Sequence, residues 1–307
     1  MQEPEAAIDL GTNTARLLIG KKSGRGGGIR LALEQRITRL GGGFTRQAGI
    51  SPEAATRATS ALNEFAGDIR SHGVKKVHAV ATSAVRDAVN GKQFCDDIFK
   101  KTGITLQVID GRREALLTLR GVLAGINDVP RHLLLFDVGG GSTEYTIADG
   151  ATPLLSMSLP LGVVRLTEGK KTCEAMTDKI IRELAKLGSR MERDGLSHLL
   201  DRATLVGTAG TVTTLAAISL RMSVYDYRRV NNYSLPLDEI RSILATLLPL
   251  TPAERLWTPG MGEGREDLII AGMLIIVNTM EMFGFDRLKV SDFGLLEGIL
   301  LEAFDEK

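Results

Sequence analysis

Short apolar runs bounded by glycine and polar clusters alternate along the chain with longer stretches of helical periodicity. Val77 to Thr82 (VHAVAT), Leu106 to Ile109, Leu133 to Phe136 and Thr204 to Val206 read as strands, each too short for a helix and flanked by turn-forming residues. A long helix is predicted from Ser51 as N-cap and Pro52 in its first turn, with Ala55, Ala58, Leu62, Phe65 and Ile69 as its buried stripe. Met176 to Glu192 has the pattern of an amphipathic helix, and a further helix is expected from Thr211. Alternation of this kind places the fold in the α/β class. The most apolar run, Leu268 to Val277, falls well short of the ~20 residues that span a bilayer and reads as a buried helix.

The pattern also repeats. IDLGTNTARLLI at 8 to 19 aligns without a gap to FDVGGGSTEYTI at 136 to 147, matching Asp9 to Asp137 and Gly11 to Gly139. Each copy is an apolar strand ending in Asp, a tight turn rich in glycine and hydroxyls, then a second strand. A repeat at this distance in 307 residues predicts two similar domains, 1–125 and 126–307. The boundary falls where a helical stretch ends in the Gly125 to Pro130 cluster, and the last helix either stays with the second domain or packs back on the first.

Composition narrows the partners. With 43% apolar and 24% charged residues the chain is an ordinary globular one, and 38 Lys and Arg against 37 Asp and Glu leave a formal charge of +1. No global field draws it to nucleic acid or membrane, so a polyanion must be met by a local patch. Cys95 and Cys173 have no metal-ligand spacing and read as structural thiols of a reducing compartment. The opening MQEPEAAIDL lacks the basic start and apolar core of an export signal, so a cytoplasmic location is expected. The GKKSGRGGGIR segment at 20 to 30, with Lys21, Lys22 and Arg25, has neither Walker spacing nor a following helix and reads as a hairpin tip.

Each repeat turn carries what a phosphate site requires, namely glycines that let backbone N–H groups approach an anion and polar side chains that donate further bonds. The candidates are Gly11, Thr12, Asn13 and Thr14 in the first turn, and Gly139, Gly140, Gly141, Ser142 and Thr143 in the second. Two plain hairpins are the structural alternative. A carboxylate beside a phosphate is repelled unless a cation lies between, so Asp9, Asp137 and Glu144 are candidate ligands of Mg2+ or Mn2+. Asp9 has the alternative of bonding its own turn. A third segment, LVGTAGTVTTLAAI at 205 to 218, runs from strand into helix through Gly207, Thr208, Gly210 and Thr211, where open N–H groups bind anions or a nucleotide sugar. Arg86 could grip phosphate oxygens through its planar guanidinium, or pair with Asp87. Glu114, near a helix start, suits either a dipole partner or a base that activates water.

The order of these three elements resembles the phosphate 1, phosphate 2 and adenosine motifs of the actin, heat-shock chaperone and sugar-kinase superfamily. TRLGGGF at 38 to 44, VHAVATSAVRDAVNG at 77 to 91, IDGRREALLTLRGV at 109 to 122, LPLGVVRLTE at 159 to 168 and VSDFGLLEGIL at 290 to 300, together with the repeat, are similar to the exopolyphosphatase/guanosine pentaphosphate phosphatase (Ppx/GppA) family. The resemblance implies two duplicated actin-like, ribonuclease H-like domains with a cleft between them. It implies Glu114, before Ala115 in the GxxEA pattern, as general base, and Arg86 in the substrate site; Arg39, Arg165 and Arg265 lie in family-like segments.

The implied activity is metal-assisted release of terminal orthophosphate from inorganic polyphosphate, with pppGpp as a second candidate substrate and a homodimer as the candidate assembly. A non-catalytic (p)ppGpp or nucleotide-binding regulator and an ATP-dependent phosphotransferase are the competing readings. Nucleic-acid and membrane partners are not expected. Three departures stand out. Arg113 precedes Glu114 where an acid is common, adding a cation beside the base; Leu296 replaces the Arg of a GLREG pattern, removing one; and Ala209 stands where Gly is usual. The chain stops soon after VSDFGLLEGILLEAF, which suggests the short form of the family and shorter polyphosphates as substrates.

Overall fold

The computed structural model describes residues 3–23, 28–43 and 47–305. Arg25, on the expected hairpin tip, and Phe44 of the TRLGGGF segment lie outside the described residues. The chain divides into two compact units, residues 1–124 with 294–307, and residues 125–293.

The first unit runs β1 (Glu5–Leu10), β2 (Thr14–Lys22), β3 (Gly28–Ile37), α1 (Pro52–Ser71), β4 (Lys76–Ala81), α2 (Ser83–Asp87), α3 (Gly91–Thr102), β5 (Leu106–Val108) and α4 (Gly111–Gly125). The second runs β6 (His132–Val138), β7 (Thr143–Asp149), β8 (Thr152–Leu159), α5 (Val163–Gly169), α6 (Cys173–Arg193), β9 (Thr204–Thr208), α7 (Ala209–Ser219), α8 (Tyr227–Val230), β10 (Ser234–Pro236), α9 (Leu237–Leu247), α10 (Pro252–Arg255), α11 (Ile269–Phe283) and β11 (Arg287–Val290). α12 (Leu295–Asp305) then returns to the first unit.

The sheet orders are β3-β2-β1-β4-β5 and β10-β11-β9-β6-β7-β8. In the first, β1 is antiparallel to β2 and parallel to β4; in the second, β6 is antiparallel to β7 and parallel to β9. The two central hairpins therefore hold equivalent places in two α/β sheets of the same topology, and β10 is an added edge strand. This equivalence reaches single residues: Asp9 faces Arg16 across the first hairpin, and Asp137 faces Glu144 across the second.

α1 begins as the sequence predicts, with the Ser51 hydroxyl accepting from the Ala54 N–H at 3.2 Å. Its buried stripe enters at Ala54, and Ala55 is half-buried, because a 3.6-residue period makes 54, 58, 61, 62, 65 and 69 the inward face. α1 and α3 cover one side of the first sheet with Leu62, Phe65, Phe94 and Ile98. α12 and α4 cover the other, where Leu296 is fully buried with Leu117, Ile299 and Leu300. The apolar run at 268 to 277 starts at the N-cap Leu268 and continues into α11, which is buried along nearly its whole length and ends at Gly284 in the left-handed region. Among the described residues no helix is long and apolar enough to cross a membrane.

Attachment of the last helix depends on absent side chains. A Cβ on Gly298 would lie 1.8 Å from the Leu117 carbonyl oxygen, and one on Gly121 would lie 1.9 Å from the Gly294 oxygen. Backbone thus meets backbone where α4 and α12 cross, flanked by the pairs Arg113–Glu302 and Arg120–Asp305. Glu297 is buried, yet both its oxygens are bonded: Arg30 donates to one at 2.9 Å and the Gly294 N–H to the other at 2.8 Å. Leu296 therefore fills a core position while Arg30, from β3, supplies the cation beside Glu297.

Gly298→Ala should destabilise the first unit by roughly 1–3 kcal/mol, because the helices must separate to admit the methyl group. Chemical denaturation of wild type and variant measures this, and an unchanged midpoint would show that the crossing has slack.

Candidate functional site

The two repeat turns are built alike. Gly11 N–H donates to the Thr14 carbonyl at 3.0 Å, and 128 residues later Gly139 N–H donates to the Ser142 carbonyl at 3.0 Å. A backing segment then fixes which way each turn faces. In the first, Thr38 and Arg39 N–H groups donate to the Asn13 carbonyl at 3.0 and 2.8 Å, and Gly41 N–H donates to the Thr12 carbonyl at 2.8 Å. In the second, Val163 N–H donates to Gly139 O at 3.0 Å, while Val164 and Arg165 N–H groups donate to Gly140 O at 2.9 and 3.3 Å.

The carbonyl and N–H of a trans peptide unit point in opposite directions. With these carbonyls turned toward their backing segments, the N–H groups of Asn13 and Thr14, and of Gly140 and Gly141, point away from them. Each turn is thus an anion nest formed within its own unit. The LPLGVV segment must lie close, and Gly162 permits it: a Cβ there would come within 2.2 Å of the Gly140 oxygen. In the first turn the 38–39 peptides are held from behind by Arg57 of α1, whose Nε donates to Thr38 O at 2.8 Å and Nη2 to Arg39 O at 3.2 Å. Arg39 itself sits at φ 44, a left-handed conformation held by these bonds.

The side chains named from sequence divide into two groups. The Thr12 hydroxyl is shared with Ser83 at 2.9 Å, Ser142 donates to Glu144 Oε1 at 2.6 Å, Thr143 donates to Leu161 O, and Thr208 donates to Phe293 O at 3.0 Å. Those four hydroxyls already have partners inside the protein, so the nests present mainly backbone donors. Asn13 differs: it is 4% exposed, and neither its amide nitrogen nor its amide oxygen has a hydrogen-bond partner among the described residues. A buried amide in this state carries a desolvation cost that a bound ligand would remove.

Glu114 is buried in the first turn of α4, which Asp110 caps by accepting from the Arg113 N–H at 2.7 Å. Arg86 Nη1 lies 3.5 Å from Glu114 Oε2, donates to the Ile109 carbonyl at 3.2 Å, and Arg86 Nε lies 3.6 Å from Asp87. The structure thus places Arg86 beside Asp87, the partner considered for it, and also beside Glu114. Arg86 is the fourth residue of the five-residue α2, the helix that follows β4. One expectation changes. Arg113 is committed to Glu302 of α12, because neighbouring helical residues point about 100° apart, so the cation beside Glu114 is Arg86.

Glu144, buried, accepts from Ser142 and from Ser158 at 2.7 Å through the same oxygen, and it is the cross-strand neighbour of Asp137. Asp9 belongs to the first unit, where its Oδ1 lies 3.9 Å from the position a Gly11 Cβ would take. Among the described residues no group of three or more His, Cys, Asp and Glu side chains is arranged to hold a metal ion.

The third segment enters α7 at Ala209, two residues earlier than expected. Gly207 is not an open donor: it lies in the sheet between β6 and β11, and a Cβ there would be 2.9 Å from the Phe136 ring. Thr211 is buried and packs on Gly272 of α11. Gly210 is open in another sense, since a Cβ would come within 2.3 Å of the Arg265 guanidinium, which rests on the first turn of α7. The loop carrying Arg265 is tied down by Arg255, whose Nη1 donates to Glu266 O at 3.0 Å and Nε to Leu247 O at 3.0 Å. Burial pushes the Arg255 pKa down, with the nearby Cys173 opposing.

The profile of the Ppx/GppA phosphatase family matches residues 22–307. Exopolyphosphatase 2 of Mycobacterium tuberculosis is 33% identical over 314 aligned positions that cover 96% of this chain and 97% of that protein. Two solved structures match over nearly full length: an exopolyphosphatase from Cytophaga hutchinsonii, with TM-score 0.89, 29% identity and 99% and 98% of the two chains covered, and the Aquifex aeolicus Ppx/GppA family member, with TM-score 0.81, 28% identity and 100% and 99% covered.

Ala209 enters α7 at φ 72, a conformation that costs an L-residue ~1–2 kcal/mol and glycine nothing. Ala209→Gly should therefore raise stability by about 0.5–1 kcal/mol after the extra unfolded-state entropy of glycine is subtracted. A shift of the denaturation midpoint to higher denaturant is the expected reading.

Proposed function

The chain belongs to the Ppx/GppA phosphatase family, and from that premise we propose that it is an exopolyphosphatase, releasing terminal orthophosphate from inorganic polyphosphate, with the 5′-phosphate of pppGpp as a second substrate. The observation that carries this reading is the first-unit turn: outward backbone N–H groups, a buried Asn13 amide lacking a protein partner, and in the same unit the Arg86–Glu114 pair. That set combines donors for phosphate oxygens, a cation, and a carboxylate able to take a proton.

In the proposed reaction Glu114 accepts a proton from water as its oxygen forms a bond to the terminal phosphorus. The anhydride P–O bond breaks, and the electron pair leaves on the shortened polyphosphate. The Asn13 amide and the N–H groups of the turn hold the transferring phosphate, while Arg86 offsets its growing charge. The nest of the second unit offers the same chemistry to phosphate oxygens.

Within the second unit the cross-strand neighbours Asp137 and Glu144 are two oxygen donors of the kind a hard dication takes. Bound Mg2+ or Mn2+ would supply neutralisation of phosphate charge. Ser142 and Ser158 hold Glu144 in one orientation by donating to the same oxygen. The near-full-length match to exopolyphosphatases favours this substrate over a phosphotransfer reaction, which needs an acceptor in place of water.

Phosphate release from polyphosphate, pppGpp and ATP should be measured for wild type and Glu114→Gln. A fall in kcat of at least ~10²-fold is expected for the variant, and turnover retained within a few-fold would place the base elsewhere. Wild-type binding of (p)ppGpp without phosphate release from any substrate would favour the regulator reading. Asn13→Leu keeps the side-chain shape and removes the buried amide, so stability should rise by about 1 kcal/mol while hydrolysis falls. Loss of both stability and activity would mean that Asn13 is structural.

A further inference from the structure

A groove of about 510 Å³ lies in the second unit between β8, the edge strand of its sheet, and the outer face of α6. Arg182, Lys186, Arg190 and Arg193 line it, at the i, i+4, i+8 and i+11 positions that bring side chains to one face of a helix, together with Ser156 and Ser189. The four cations extend about 16 Å along the helix axis. Lys186 pairs with Glu183 at 2.7 Å, while Arg190 and Arg193 share Asp194 at 2.6 and 3.9 Å. Arg182 has no ion-pair partner among the described residues. Two acids thus answer four cations, although the whole chain is almost neutral.

The charge continues toward the second nest. Lys179 lies one turn before Arg182 on α6, and its pKa is held down first by burial and then by Arg165, with Lys170 and Arg182 acting in the same sense and Glu183 opposing. Arg165 is the residue whose N–H donates to the Gly140 carbonyl behind the glycine turn. Cations therefore succeed one another from the back of the turn through Arg165, Lys179 and Arg182 into the groove, all within one unit. Like charges at this density repel one another, and nothing in the packing of α6 requires them, since its core side is formed by Ile180, Leu184, Leu187 and Met191.

We propose that the groove between β8 and α6 is a secondary binding site for a linear polyanion, which in this protein is the distal part of an inorganic polyphosphate chain whose end is being hydrolysed. This rests on the exopolyphosphatase reading and deepens it. The site would favour long substrates, because a polymer has many phosphates to spare for the groove while its end is held, whereas tripolyphosphate has few. A tethered second contact raises affinity through effective concentration without altering the chemical step.

The test uses the full chain carrying Arg182→Gln, Lys186→Gln and Arg190→Gln together, with the charge-preserving pair Arg182→Lys and Arg190→Lys as control. For the triple variant, the KM for long-chain polyphosphate should rise at least ~10-fold with kcat held, the KM for tripolyphosphate should stay within about twofold, and the log–log dependence of long-chain affinity on salt should become shallower. The lysine control should retain wild-type behaviour. Equal losses on long and short substrates, or none on either, overturn the proposal, as does loss in the lysine control.

Direct binding of long-chain polyphosphate to wild type and triple variant in the presence of a chelator separates the two readings. If wild type binds the polymer and the triple variant does not, the groove stands even where no substrate is hydrolysed. If both bind it equally, the groove fails while hydrolysis stands on its own measurement. Polyuridylate bound as tightly as polyphosphate, and lost in the same variant, would assign the groove to single-stranded RNA instead.

Discussion

A peptide unit cannot direct its carbonyl and its N–H to the same side, and both halves of this molecule depend on that constraint. Each repeat turn becomes a phosphate-type nest only because a second segment captures its carbonyls: residues 38–41 in the first unit, and the start of α5 in the second. The two backing segments are unrelated in structure, one a loop held by Arg57 and the other a helix N-terminus. The duplicated feature is thus the hairpin and the direction its donors face, reached through different supports. A turn sequence alone specifies a bend, whereas its orientation belongs to the residues behind it.

That distinction also marks how far the sequence could be read. The hairpins, the α1 cap at Ser51, the buried α11 and the two-sheet α/β architecture all follow from local signals: period, turn residues and a gapless repeat. The partners of the turn hydroxyls lay beyond local reading for a physical reason. Thr12, Ser142, Thr143 and Thr208 look like open donors in a glycine-rich turn, but their partners Ser83, Glu144, Leu161 and Phe293 include residues far away in the chain, which no local pattern reveals. Arg57 was invisible for the same reason, since on a helix map it reads as a solvent-facing charge. Asn13 is the inverse case, a candidate donor in the turn whose burial without a partner is visible only in three dimensions.

The departures from the family pattern acquire their meaning from α12. By sequence alone Arg113 loads charge beside Glu114, yet the return of the last helix to the first unit gives Arg113 its own acid, Glu302. By the same reading Leu296 removes a cation, yet that helix buries the position and places Glu297 against Arg30. Both changes are therefore consistent with one another: a C-terminal helix seated by apolar contact and by glycine-mediated backbone approach carries its charge pairs at the edges. Ala209 has no such compensation, and its left-handed backbone is retained with a side chain that disfavours it.

The same separation of local from distant effects bears on the second unit. α6 has an inner stripe that any amphipathic helix needs and an outer stripe of cations that stability does not need, since exposed ion pairs contribute little and the excess of positive charge opposes folding. Where a charged arrangement costs stability and adjoins a structure built to hold anions, ligand binding is the economical physical explanation. The Arg165 backbone completes the nest, while its charge acts on Lys179 at the head of the cationic stripe. A single residue thus links the orientation of the glycine turn to the electrostatics of the surface beyond it, so that the outer face of α6 is electrostatically part of the same anion-binding unit.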